Sequence, residues 1–82
     1  MNPKITKINA KTADELLKML YTYPHLGYHS QINVKGFWPN PHFSLKELQS
    51  DPNATTMTVY ERDGSDYTIN IQSVEAIVEF YN

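Results

Sequence analysis

Thr56-Met57-Thr58-Val59-Tyr60-Glu61-Arg62-Asp63-Gly64-Ser65-Asp66-Tyr67-Thr68-Ile69-Asn70-Ile71-Gln72 consists of two alternating runs that meet at a glycine turn. Met57, Val59 and Glu61 fall on one face of the first run, with Thr58, Tyr60 and Arg62 on the other; Tyr67, Ile69 and Ile71 oppose Thr68, Asn70 and Gln72 in the second. A two-residue Asp63-Gly64 loop sets Val59 against Thr68 and Met57 against Asn70, which mixes polar and apolar residues on both faces. A three-residue Arg62-Asp63-Gly64 loop instead pairs Glu61 with Ser65, Val59 with Tyr67 and Met57 with Ile69. That register gives one apolar face, with Gly64 in the left-handed position of a type I turn plus bulge. Beyond the hairpin, Ser73 is a good N-cap, Glu75 suits a first turn, and Val74, Ile77, Val78 and Tyr81 follow the i, i+3, i+4, i+7 stripe. The spacing predicts a helix that folds back over the sheet.

Upstream of the hairpin, Ser44-Leu45-Lys46-Glu47 is a capping box, with Phe43 and Leu48 placed as a hydrophobic staple. Asp51-Pro52 ends that helix within two turns, so Leu45 and Leu48 need tertiary packing to hold it. Ser30, Ile32, Val34 and Gly36 alternate with Gln31, Asn33, Lys35 and Phe37 and read as a strand with one buried face. Thr12-Ala13-Asp14-Glu15 is a further capping box, opening a helix whose stripe is Ala13, Leu16, Leu17 and Leu20; Pro24 stops it near Thr22. Lys4 to Ala10 is a weak strand, with Thr6, Ile8 and Ala10 inward and Ile5 outward, or else an edge with a bulge. The fold class is α+β: one domain over residues 1–82, with a three- to four-stranded, mostly antiparallel sheet. Two main helices, from Thr12 and Ser73, lie on one face, and there is one short helix.

The 82-residue length makes a deep enclosed active site hard to build. With no cysteine, a disulfide scaffold, a thiol nucleophile and a thiolate zinc site are excluded. No apolar run reaches the about 18 residues of a membrane span, and the first residues do not lead into a signal-peptide core, so the expectation is a cytoplasmic protein away from membranes. The net charge of −2 divides into +3 over residues 1–41 and −5 over residues 42–82.

The chemistry-bearing residue types concentrate between Tyr21 and Phe43, which holds six of the ten aromatic residues, all three histidines and three of the five prolines. His25, His29 and His42 are the only imidazoles available for an open zinc site. Pro24 and Gly27 remove the helix on which the His25/His29 spacing works, so no metal is expected. There is no glycine-rich phosphate loop, no His-Glu-x-x-His and no Gly-x-Ser-x-Gly, so neither catalytic residues nor a cofactor are assigned. What remains is recognition. Trp38 between Phe37 and Pro39 suits an aromatic anchor on a stiff loop, while Phe37 and Phe43 suit the core. The expected partner-binding set is Tyr28, His29, Lys35, Trp38 and His42 from this segment, with Glu61, Asp63 and Asp66 from the hairpin.

From Thr12 onward the expected order of helix, three strands and helix resembles the layout of a double-stranded RNA-binding domain. Such domains present lysines at the start of the last helix, where this sequence has Glu75 and Glu79. With a pI near 5.8, nucleic acid is the least favoured partner. In size, acidity, lack of cysteine and layout the chain resembles small phage or mobile-element proteins that inhibit a host enzyme by occupying its surface. That resemblance implies that Glu61, Asp63, Asp66, Glu75 and Glu79 mimic nucleic-acid phosphates. The sequence thus favours a non-catalytic module for an unidentified protein with a basic surface. The alternative is a homo-oligomeric structural or regulatory module, paired across a two-fold axis through a strand such as Lys4 to Ala10 or Thr56 to Arg62, and the second alternative is a weak nucleic-acid-binding domain.

Overall fold

The structure, a computed structural model, describes residues 4–21, 30–37 and 40–79, the side chains of Ser30 and Glu79 excepted. His25, Tyr28, His29 and Trp38 lie outside the described residues. Among the described residues, two three-stranded antiparallel sheets and two helices form. In chain order these are β1 (Lys4–Lys7), α1 (Ala13–Tyr21), β2 (Ser30–Val34), β3 (His42–Phe43), α2 (Leu45–Ser50), β4 (Thr56–Tyr60), β5 (Asp66–Asn70) and β6 (Val74–Glu79). A 3-10 turn, Ile71–Ser73, links β5 to β6. Sheet A has the order β1-β6-β2 and sheet B the order β3-β4-β5.

Sheet B contains the hairpin in the register with one apolar face: Val59 lies opposite Tyr67 and Met57 opposite Ile69. The loop closes through Glu61 N to Ser65 O at 2.9 Å and Gly64 N to Glu61 O at 3.0 Å, with Gly64 at φ +89°. Met57 and Val59 are buried, and Ile69 packs half-buried against the same core.

The segment after Ser73 corrects the sequence reading, for it is a strand and not a helix. β6 is the centre of sheet A, with Ile77 opposite both Thr6 and Ile32. Ala76, Ile77 and Val78 are all buried, as in a central strand flanked by a neighbour on each side. A short apolar run of this kind satisfies the helical stripe and the buried-strand pattern alike, and its β-branched Val74, Ile77 and Val78 favour the strand. Ser73 caps no helix; its carbonyl accepts from Lys35 N at 2.9 Å. The single sheet expected from sequence is therefore two, and the second main helix is absent. The resemblance to a double-stranded RNA-binding layout fails with it.

One hydrophobic cluster joins every element but β1. α1 contributes Ala13, Leu16, Leu17 and Leu20, β2 gives Ile32 and Val34, and α2 gives Leu48. Met57 and Val59 enter from β4, with Ile71, Val74 and Ile77 from the C-terminal segment. At the other end of the chain Ala10 is buried and Ile8 half-buried while Ile5 is 62% exposed, the expected inward and outward sides, but the strand itself stops at Lys7, short of the expected Ala10.

Both capping boxes form only in part. Thr12 Oγ1 accepts from Glu15 N and Ser44 Oγ from Glu47 N, each at 3.3 Å. The return contacts go elsewhere: the Glu15 carboxylate accepts from Lys11 N at 3.3 Å, and that of Glu47 from Thr58 N on β4 at 2.8 Å. The first amides of α1 are also taken, Ala13 N by Ala54 O at 2.9 Å and Asp14 N by Pro52 O at 3.0 Å. The start of α1 is thus docked on the loop that follows α2.

Candidate functional site

The pleat of sheet B sorts its side chains. Because Met57 and Val59 face the core, Thr56, Thr58 and Tyr60 face outward. Cross-strand pairing then places His42 on β3 and Asp66 on β5 on either side of Tyr60. All three are exposed, Tyr60 by 39%. The chain leaves Tyr60 directly into the loop carrying Glu61 and Asp63. One end of sheet B therefore presents a tyrosine with an imidazole on one flank and an aspartate on the other, beside two further carboxylates.

The loop is held by its own hydrogen bonds. Asp63 Oδ1 accepts from Ser65 N at 2.9 Å, and these bonds to Ser65 hold the Asp63 carboxyl below the ordinary 3.8 of aspartate. Asp63 is accordingly ionised at neutral pH. On the opposite face of the hairpin Tyr67 is 45% exposed and meets the Phe37 ring edge-on, with centroids 5.5 Å apart and planes at 72°. Phe37 and Phe43 pack half-buried against the core, as their sequence context implies.

Four members of the expected partner-binding set, His42, Glu61, Asp63 and Asp66, meet at this end of sheet B. Lys35 does not join them through any observed contact. It is exposed in the turn that precedes Phe37, tied by its amide to Ser73. Tyr28, His29 and Trp38 lie outside the described residues, as do two of the three histidines considered for a metal site. Among the described residues no group of three or more His, Asp or Glu is placed to hold a metal ion. Of the five acids considered as phosphate mimics, Glu75 is exposed on β6 of the other sheet, and the side chain of Glu79 is not described. Tyr60 is the residue that sequence reasoning passed over. Its signal was its place in the alternation, opposite in phase to Met57 and Val59, which puts a large ring on the solvent face.

The outer face of sheet A offers a different surface, an open groove among Ile5, Lys7, Asn33, Ala76 and Val78. Beside it Asn40 bridges β2, donating to Gln31 Oε1 and accepting from Asn33 Nδ2, each at 3.2 Å. No helix among the described residues is long and apolar enough to cross a membrane. Comparison with protein-family models, curated proteins and solved structures finds no match to this chain, so the geometry of its own residues carries the functional argument.

Proposed function

We propose that this chain is a small non-catalytic protein-binding module that docks a basic surface of its partner through the hairpin end of sheet B. The observation carrying this is the row His42, Tyr60, Asp66 across three strands, continued by Glu61 and Asp63 in the loop. A half-exposed tyrosine supplies a rigid apolar contact with a polar tip, the kind of group that dominates binding energy at interfaces. The surrounding carboxylates add sign-specific steering toward a cationic surface. Such a module acts by covering part of its partner, as an inhibitor that blocks a surface does. No chemistry at the site is required.

The test is capture by the immobilised chain at two salt concentrations, after nuclease treatment, with two variants alongside. Retention of a basic protein that is weakened by salt, by Tyr60→Ala and by Asp63→Lys/Asp66→Lys supports the reading. Identical retention by wild type and both variants overturns it. Retention that vanishes with nuclease also overturns it, in favour of nucleic acid.

A further inference from the structure

Natural sheets protect their edges with lysines, prolines, bulges, very short strands or covering groups. Three of the four sheet edges here carry such a device. β1 ends in exposed Lys4 and Lys7, and β2 changes register at Asn33/Val34. β3 is two residues long and follows Pro41, and where it stops the Glu47 carboxylate takes the next amide of β4, that of Thr58. β5 is different. Its five residues pair regularly with β4, without lysine, proline, glycine or bulge.

The phase of the ladder fixes what that edge displays. Glu61/Ser65 and Thr55/Ile71 are hydrogen-bonded pairs at the two ends of the hairpin. Alternation makes Val59/Tyr67 and Met57/Ile69 hydrogen-bonded as well, so the amides and carbonyls of Asp66, Thr68 and Asn70 point away from β4. No described residue bonds to them.

We propose that β5 pairs with β5 of a second copy, antiparallel about a two-fold axis at Thr68, and so joins two copies of sheet B into one continuous sheet. The sequence Asp66-Tyr67-Thr68-Ile69-Asn70 is complementary to its own reverse. Thr68 meets Thr68 of the second copy, Asp66 meets Asn70, and Tyr67 meets Ile69. Each is a favourable class of cross-strand pair: hydroxyl with hydroxyl, carboxylate with amide, aromatic with β-branched. No like charges face each other, since the two Asp66 residues stand four strand positions apart, about 14 Å, beyond the screening length at physiological salt. The outward groups of Asp66, Thr68 and Asn70 all find partners. Tyr67, 45% exposed, and half-buried Ile69 gain cover on the core side of the sheet. A one-residue slip would set outward-pointing groups against inward-pointing ones and lose the pairing. This inference shares Asp66 with the hairpin-end reading, but Tyr60, Glu61 and Asp63 lie off the seam and the Thr68 variants leave all four unchanged, so the two fail separately.

Sedimentation velocity of the full chain from about 1 mM down to about 1 µM, spanning weak to moderately tight association, is the test. It is paired with Thr68→Lys, which opposes two like charges at the axis, and Thr68→Pro, which removes the outward donor and spares the ladder to β4. Amide exchange supplies a second readout. A wild-type dimer is expected to disperse on dilution, with the amides of Asp66, Thr68 and Asn70 losing protection as it does. The variants are expected to be folded monomers throughout. A wild type monomeric at 1 mM overturns the proposal, and so does a dimer that persists in a folded variant. Should both variants unfold, the exchange pattern of the wild type decides: concentration-dependent protection at Asp66, Thr68 and Asn70, added to that which β4 gives Tyr67 and Ile69, upholds the seam, and its absence at those three overturns it.

Discussion

Replacing Glu47 with alanine is expected to destabilise the protein far more than a half-exposed helix residue ordinarily would. Its carboxylate accepts the Thr58 amide at 2.8 Å, where β3 has ended and, among the described residues, no other strand pairs with β4 on that side. A hydrogen bond to a charged group contributes about 1.5–3 kcal/mol, and an acid in the first turn of a helix about 0.3–1 kcal/mol. Together these give a loss of roughly 2–4 kcal/mol. For 82 residues the whole stability is of the order of 4–12 kcal/mol, so the variant forfeits a large share of it. In a domain this small, that corresponds to a fall in Tm of roughly 8–30 °C. Urea unfolding followed by circular dichroism measures the loss, and amide exchange at Thr58 locates it. Glu47→Gln keeps an acceptor oxygen without the charge and should recover about half. A loss below about 0.5 kcal/mol in Glu47→Ala, or a Thr58 amide that exchanges at the wild-type rate, would refute the assignment of Glu47 as the cover of that edge.

Gly64→Ala should cost about 1–2 kcal/mol in the same urea assay, entirely through backbone strain at φ +89°, because nothing lies within 4 Å of the added methyl. Gly64→Asn should cost clearly less, since asparagine tolerates the left-handed region; equal losses would contradict a backbone origin. Asp63 should titrate below 3.8 by NMR because Ser65 donates to its ionised form. A depressed folded pKa means that the stabilisation from this turn is fully present above the unfolded value and is lost as pH falls through the folded one. Asp63→Asn should abolish that acid-side dependence, and an unshifted Asp63 midpoint would count against the turn geometry.

What could be read in the sequence was whatever local chemistry determines. The hairpin register follows from a side-chain period of two and one glycine, and the starts of α1 and α2 follow from Thr12 and Ser44. Long-range partners were not legible. Val74, Ile77 and Val78 fit a helix stripe, and only the arrival of β1 and β2 on either side makes them a strand. The capping-box pattern assigns the carboxylates of Glu15 and Glu47 to their own helices, whereas Lys11 and Thr58 compete for them successfully. For the site, the convergence of Glu61, Asp63 and Asp66 was implicit in the hairpin. His42 joins them through a two-residue strand, too short to leave a pattern.

The placement of β6 has a consequence for the order in which the chain can be assembled. β1 and β2 do not touch each other; each is bound only to β6, which begins 40 residues after β2 ends. At about 5–20 residues per second, a ribosome takes roughly 2–8 s to synthesise that interval. Throughout it, the two early segments have no strand to pair with, while the β4–β5 hairpin, once made, closes locally in about 1–10 µs. The hairpin can therefore close on its own contacts, its β5 edge included, ahead of sheet A, which waits for β6 to reach two strands far behind it in the chain.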